Sequence, residues 1–83
     1  MVTSVHHKRY VKLRSILKEL RLKSGLTQIQ IADLLSMEQS NVSKIERGER
    51  YIDTLFFIDY CKACGAVPAD VIAKVDDSED QTF

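Results

Sequence analysis

The chain has 83 residues, is 45% apolar and carries 12 basic against 12 acidic side chains. Those figures set it at one small domain with one core and exclude a polyanion binder that works by net positive charge alone. No apolar run approaches the ~20 residues that span a bilayer. Residues 1–15 have no apolar stretch ahead of a small-residue cleavage site, so the protein is expected to stay in the cytoplasm and off the membrane. With three Gly and one Pro, and Leu, Ile, Lys, Glu and Ala common, the composition is helical. Val and Ile never alternate with polar residues for long enough to predict a sheet. The charge is segregated: residues 1–24 hold seven Lys/Arg and one Glu, whereas residues 52–83 hold two Lys and seven Asp/Glu. One end of the chain can therefore meet a polyanion that the other end repels.

In chain order, the first helix is predicted from about His7 or Arg9 to Lys23. Leu13, Ile16, Leu17 and Leu20 fall at i, i+3, i+4, i+7, the apolar stripe of a surface helix, and Ser24-Gly25 stops it. Thr27 reads as an N-cap, because TQIQ places Gln30 three residues on in a capping box and Leu26 can staple onto Ile31. A second helix of about eight residues follows through Leu35. Ser36 and Met37 make a tight turn, and a third helix starts near Glu38 or Gln39 and ends at Arg47-Gly48. Asp53 caps a fourth helix, TLFFIDYCKAC, whose packing stripe is expected at Thr54, Phe57, Tyr60 or Cys61, and Cys64. Pro68 fits the first turn of a fifth, running to about Lys74. Residues 1–8 are expected to be an N-terminal arm or the start of helix 1, residues 9–74 the folded domain, and residues 75–83 an acidic tail without order. The fold class is all-α.

The two short helices around Ser36 carry a specific spacing. Ile31, Ala32, Leu35, Met37, Val42 and Ile45 are the inward positions that pack two helices steeply across a short turn. Ala32 lets them cross closely. The third helix is otherwise polar, and on its own that surface would read as an ordinary solvated face. LTQIQIADLLSMEQSNVSKIERGER, however, resembles the helix-turn-helix of the Cro and phage-repressor type, the XRE-like family. The resemblance is carried by Leu26-Thr27-Gln28, by Ala32 and by the Val42-Ser43-x-Ile45-Glu46-x-Gly48 run, and it extends from about Leu13 to Val71. It implies a five-helix, lambda-repressor-like domain with helices 2 and 3 as the motif. One departure is visible: the turn position that usually holds Gly holds Ser36, at a cost of ~1 kcal/mol if positive φ is needed.

What the resemblance implies for function is a sequence-specific DNA-binding transcriptional regulator, with repression the expected sign. Its third helix would enter the major groove and its second would cross the backbone. Gln28, at the start of helix 2, would bond a phosphate, with Thr27 chiefly a cap. Gln39 and Ser40 would reach bases or the adjacent backbone, Asn41 would flank them, and Ser43 and Lys44 would point to the groove floor. Arg47 and Arg50 would grip phosphate. Glu46 would pair with Arg21 as a structural ion pair. Helix 4 is apolar almost all round and wants a second buried surface. In small relatives helices 4 and 5 form a two-fold contact, which implies a homodimer through Leu55, Phe56, Val67, Val71 and Ile72, and a palindromic operator in double-stranded DNA. Helix 1, folded over those side chains, is the alternative cover.

Cys61 and Cys64 fall at i, i+3. Zinc would need two further ligands, and the only histidines, His6 and His7, sit in the N-terminal segment, so core thiols and no metal or cofactor are expected. No Gly-rich phosphate loop and no nucleophile–base set is present, so no enzyme is expected. The competing reading is an antitoxin-like or other protein-binding module on the same fold, which would need a binding segment outside the helical core.

Overall fold

The computed structural model describes residues 7–76. Over that span the chain forms α1 (Lys8–Lys23), α2 (Gln28–Leu34), α3 (Gln39–Glu46), α4 (Thr54–Ala63) and α5 (Pro68–Asp76), with no strand among the described residues. The starts are capped locally. His7 accepts from the Arg9 amide ahead of α1, Asp53 from the Phe56 amide ahead of α4 at 2.8 Å, and Thr27 and Gln30 exchange bonds ahead of α2. Each such bond satisfies an amide that the helix itself leaves open.

The ends of α1 to α4 share one geometry, in which the second residue past the cap donates to the carbonyl five residues back and the first to the carbonyl three residues back. After α1, Leu26 N bonds Arg21 O at 3.2 Å and Gly25 N bonds Leu22 O at 3.1 Å. After α2 the same two bonds run from Met37 to Ala32 and from Ser36 to Asp33, at 3.0 and 3.2 Å. The motif needs a left-handed residue at its pivot, which glycine supplies after α1, α3 and α4. After α2 it is Ser36, at φ 55°, the one non-glycine with positive φ among the described residues. At Gly48 a Cβ would stand 2.5 Å from Arg14 Cζ, the far end of a flexible side chain that can swing aside, so the requirement for glycine there is its φ of 79°.

The core joins Leu17 of α1, Ile31 and Ala32 of α2, Val42 and Ile45 of α3, Phe56, Phe57, Tyr60 and Cys61 of α4, and Val71 of α5. Fully burying a side chain such as Leu17 or Ile31 contributes about 1.5–3 kcal/mol. Of the predicted α1 stripe, Leu17 is fully buried, while Leu13, Ile16 and Leu20 pack half-exposed against the core. The α4 stripe departs from its prediction: Thr54 is exposed and Phe56 is buried. The reason is position, because α4 packs against α1, α2 and α5, and a central helix buries more than one face. Tyr10 fastens α1 to the segment before α4, its hydroxyl accepting from Ile52 N at 3.1 Å, with its ring edge-on to Tyr51 at 5.5 Å.

Two boundaries also shift. α5 runs to Asp76 instead of Lys74, and Val75, assigned by composition to the tail, is half-buried beside Arg9, Tyr10 and Leu13. An apolar side chain with somewhere to pack extends the helix by half a turn. At the other end, Lys8, in the segment expected as an arm or the start of helix 1, is the first residue of α1. Residues 1–6 and 77–83, the bulk of the expected arm and tail, lie outside the described residues.

Candidate nucleic-acid interface

The α2–turn–α3 unit presents the polar residues of α3 together because the apolar ones of α3 are used inward, whereas α2 turns Ile31 and Ala32 inward and leaves Ile29 and Leu34 63% and 61% exposed. Ile31 and Ala32 of α2 and Val42 and Ile45 of α3 are buried, and the two helices pack against each other. What remains outside α3 is Gln39, Ser40 and Lys44, all exposed, with Asn41 half-buried. Unlike α1, α2 and α4, α3 has no side-chain cap: Glu38 stands at the N-cap position without making that bond. The positive end of the helix dipole is therefore left open beside Gln39 and Ser40.

Several of the side chains expected to meet DNA hold neighbouring side chains. The Thr27 hydroxyl accepts from Gln30 N at 3.1 Å while Gln30 Oε1 takes the Thr27 amide at 2.9 Å. Arg47 Nε lies 2.7 Å from Glu49 Oε2, and Arg50 donates to Asn41 Oδ1. Both members of the Arg47–Glu49 pair are about half exposed; the hydrogen bond and charge of Glu49 raise the Arg47 pKa, and Arg47 in turn lowers that of Glu49. Such a pair is weakly held against water and salt. Ser43 differs from its expected place. It is only 9% exposed and its Oγ accepts from Arg47 Nη1. Lying between buried Val42 and Ile45, it is drawn toward the core, so Lys44 alone of that couple projects outward.

Beneath this surface sits a buried polar cluster. Arg21 Nε and Nη2 grip Glu46 Oε2 and Oε1 at 2.8 and 3.0 Å, with the two side chains 8% and 4% exposed. Arg21 Nη1 also donates to Leu26 O at 2.9 Å, which ties the end of α1 to the entry of α2. The Tyr60 hydroxyl donates to Glu46 Oε2 at 2.8 Å, and Gln28 Nε2 donates to Oε1 at 3.0 Å. Gln39 Nε2 in turn donates to Gln28 Oε1 at 2.8 Å. Burial pushes the Glu46 carboxyl up, but bonds from Arg21, Gln28 and Tyr60 outweigh it and hold it below the usual range. Burial together with the bond to Glu46 pushes Tyr60 well above the ordinary phenol. Sequence reasoning placed Tyr60 on a packing stripe and had no signal for its hydroxyl, whose partner lies on another helix.

Apolar side chains also stand exposed on α4, on α5 and in the loop between them, among exposed charged ones. Leu55, Val67 and Ile72 are 71%, 57% and 49% exposed. An open groove of about 450 Å³ runs beside them, lined by residues that include Leu13, Ile58, Pro68 and Ile72. Phe56 and Val71, expected on this surface, are 8% and 2% exposed and belong to the chain's own core. α4 and α5 pack on each other, and that contact takes those two side chains inward. Cys61 is wholly buried and its thiol is pushed up to about 11 by burial and by Cys64. Burial also raises Cys64, so both are protonated packing groups at neutral pH. Among the described residues no three His, Cys, Asp or Glu side chains gather as a metal-ion set, and no helix is long and apolar enough to cross a membrane.

A helix-turn-helix family model matches residues 17–72. Among solved structures, the chain is similar to an XRE-family like protein from Pseudomonas syringae pv. tomato str. DC3000. The identity is 38% and the TM-score 0.81, over 87% of this chain and 88% of that one. It is also similar to the clp gene regulator ClgR from Corynebacterium glutamicum, at 27% identity in two structures. Their TM-scores are 0.71, over 81% of this chain and 70% of that one, and 0.70, over 81% and 85%. No curated protein matches the chain.

Proposed function

Because the chain belongs to the Cro- and phage-repressor-type (XRE-like) helix-turn-helix family, a family of DNA-binding transcription regulators, we propose that it binds a palindromic operator as a homodimer and represses by occupying it. The observation that carries this reading is the exposed polar face of α3, uncapped at its N-terminus, on a helix whose apolar residues are all turned to the core. In the major groove, the N-terminal part of such a helix meets base edges. Gln39 has one amide N–H committed to Gln28. Its carbonyl and second N–H then match the donor and acceptor that adenine presents, while Lys44 suits guanine O6 and N7. Ser40 and Asn41 flank them. Arg47 and Arg50 approach phosphates, Arg47 by exchanging Glu49 for the polyanion, and Gln28, whose side-chain NH2 is turned to Glu46, meets one through its backbone N–H at the start of α2, with Thr27 chiefly a cap that can add a contact.

The apolar surface supports the dimer. Leu55 of α4, Val67 of the loop after it and Ile72 of α5 stand exposed, and a two-fold contact there removes them from water. Two copies of α3 would then sit about one DNA turn, ~34 Å, apart. The role is binding, not catalysis.

Selection of bound sequences from a random DNA pool tests this directly, with wild type, Gln39→Ala and Lys44→Ala in parallel. The expected result is an inverted repeat, relaxed at one base by each substitution at a cost of about 1–3 kcal/mol of discrimination. No enrichment at low salt from folded protein would remove DNA as the partner and leave the protein-binding module.

A further inference from the structure

We propose that Glu46, held by Arg21 and by the Tyr60 hydroxyl, is a positioning residue that fixes which end of the Gln39 amide faces outward. The inference rests on the reading of α3 as the groove-reading helix, and it reaches that helix from the core. Glu46 is an ionised carboxylate and can only accept hydrogen bonds. Four donors meet its two oxygens: Arg21 Nε and Tyr60 Oη at Oε2, both at 2.8 Å, and Arg21 Nη2 and Gln28 Nε2 at Oε1, both at 3.0 Å. An acceptor-only partner obliges Gln28 to turn its NH2 inward, which leaves its carbonyl pointing out. That outward carbonyl is again acceptor-only, so Gln39 must present its own NH2, as it does at 2.8 Å. The polarity of a buried charge is thus copied across two amides to the first residue of α3.

Amides have two ends of nearly equal size, and nothing steric distinguishes them. With a neutral amide at position 46, Gln28 could face inward by either end, and Gln39 would follow in either sense. The Tyr60 hydroxyl supports the relay from α4, outside the helix-turn-helix, by filling the lone pair of Oε2 that Arg21 does not take. A buried, fully satisfied network holds a single arrangement more firmly than a partly satisfied one.

The test uses three variants of the full chain. Glu46→Gln keeps the shape and removes the acceptor-only character; Tyr60→Phe keeps the ion pair and removes one donor. Cys61→Ala loosens the same helix without touching the relay. The first readout is the side-chain amide NMR signals of Gln28 and Gln39 in free protein. The second is base discrimination at the operator position that Gln39→Ala relaxes. In Glu46→Gln both amide signals should move toward solvent-exposed positions and discrimination should fall roughly tenfold at that position alone. Tyr60→Phe should move the same signals less far, with a loss of about threefold, and Cys61→Ala should leave them in place. If Glu46→Gln does not fold, Tyr60→Phe decides. An unmoved Gln39 signal in a folded variant that shifts Gln28 would overturn the relay. If wild type selects no DNA sequence, the groove reading falls, while the amide signals still support or overturn the positioning on their own.

Discussion

On the α3 side of the molecule the polar side chains hold one another; on the α4–α5 side apolar ones lie open to water. Gln39 is held by Gln28, Arg50 by Asn41 and Arg47 by Glu49, while Leu55, Val67 and Ile72 stand half exposed or more. The two surfaces prepare for partners by different physics. Directional bonds between exposed groups fix orientation in advance and are readily exchanged for bonds to a ligand of matching pattern. Exposed apolar area fixes no orientation but provides the driving force for burial. A polar face organised this way is suited to selecting, and an apolar one to associating.

The comparison can be broken most forcefully from below the polar face. Arg21→Ala leaves the Glu46 carboxylate buried without its counter-charge, and the expected loss is about 3–5 kcal/mol of stability, read by urea unfolding at neutral pH. The pH dependence should also reverse. In wild type the Glu46 pKa is depressed, so its contribution is complete above the usual carboxylate range and is lost as pH falls through the lower folded value. In Arg21→Ala burial dominates, the folded pKa rises above the unfolded one, and acid should stabilise the variant toward about pH 4. Unfolding curves with the same pH slope in both proteins would contradict the ion pair's role.

The apolar side is tested by Leu55→Asp combined with Ile72→Asp. Each removes a side chain whose burial contributes about 1.5–3 kcal/mol, so sedimentation should show dissociation to monomers with helicity unchanged. An unaltered association state would move the dimer contact elsewhere. The smallest effect sharpens the comparison at the hinge of the polar unit. Ser36→Gly relieves a left-handed serine and should stabilise the fold by about 0.5–1 kcal/mol, net of the added freedom of the unfolded chain. In a domain of this size that is a rise in Tm of about 2–8 °C. A lower Tm would mean that the serine side chain contributes something beyond its backbone.

What the sequence by itself determined was local. The capping box at Thr27, the Asp53 cap, the stops at Gly25, Gly48 and Gly65, and the inward positions of α2 and α3 each depend on side chains within a few residues of one another, and helical periodicity exposes them. The left-handed turn at Ser36 was legible in the same way, from the place of a missing glycine. The resemblance to repressor domains paired Arg21 with Glu46, a contact that spacing alone does not reach. Only the tertiary structure decided that the Tyr60 hydroxyl, and not merely its ring, reaches Glu46, that Gln28 serves Glu46 and Gln39 together, that Ser43 turns inward, and that Phe56, Val71 and Val75 pack within the chain itself. Those outcomes depend on which helices meet, and at what rotation, between positions as far apart as the ends of α1 and α3. A hydroxyl or an amide has no periodicity to announce its partner, because its energy is gained only once packing has brought a matching group within bonding distance.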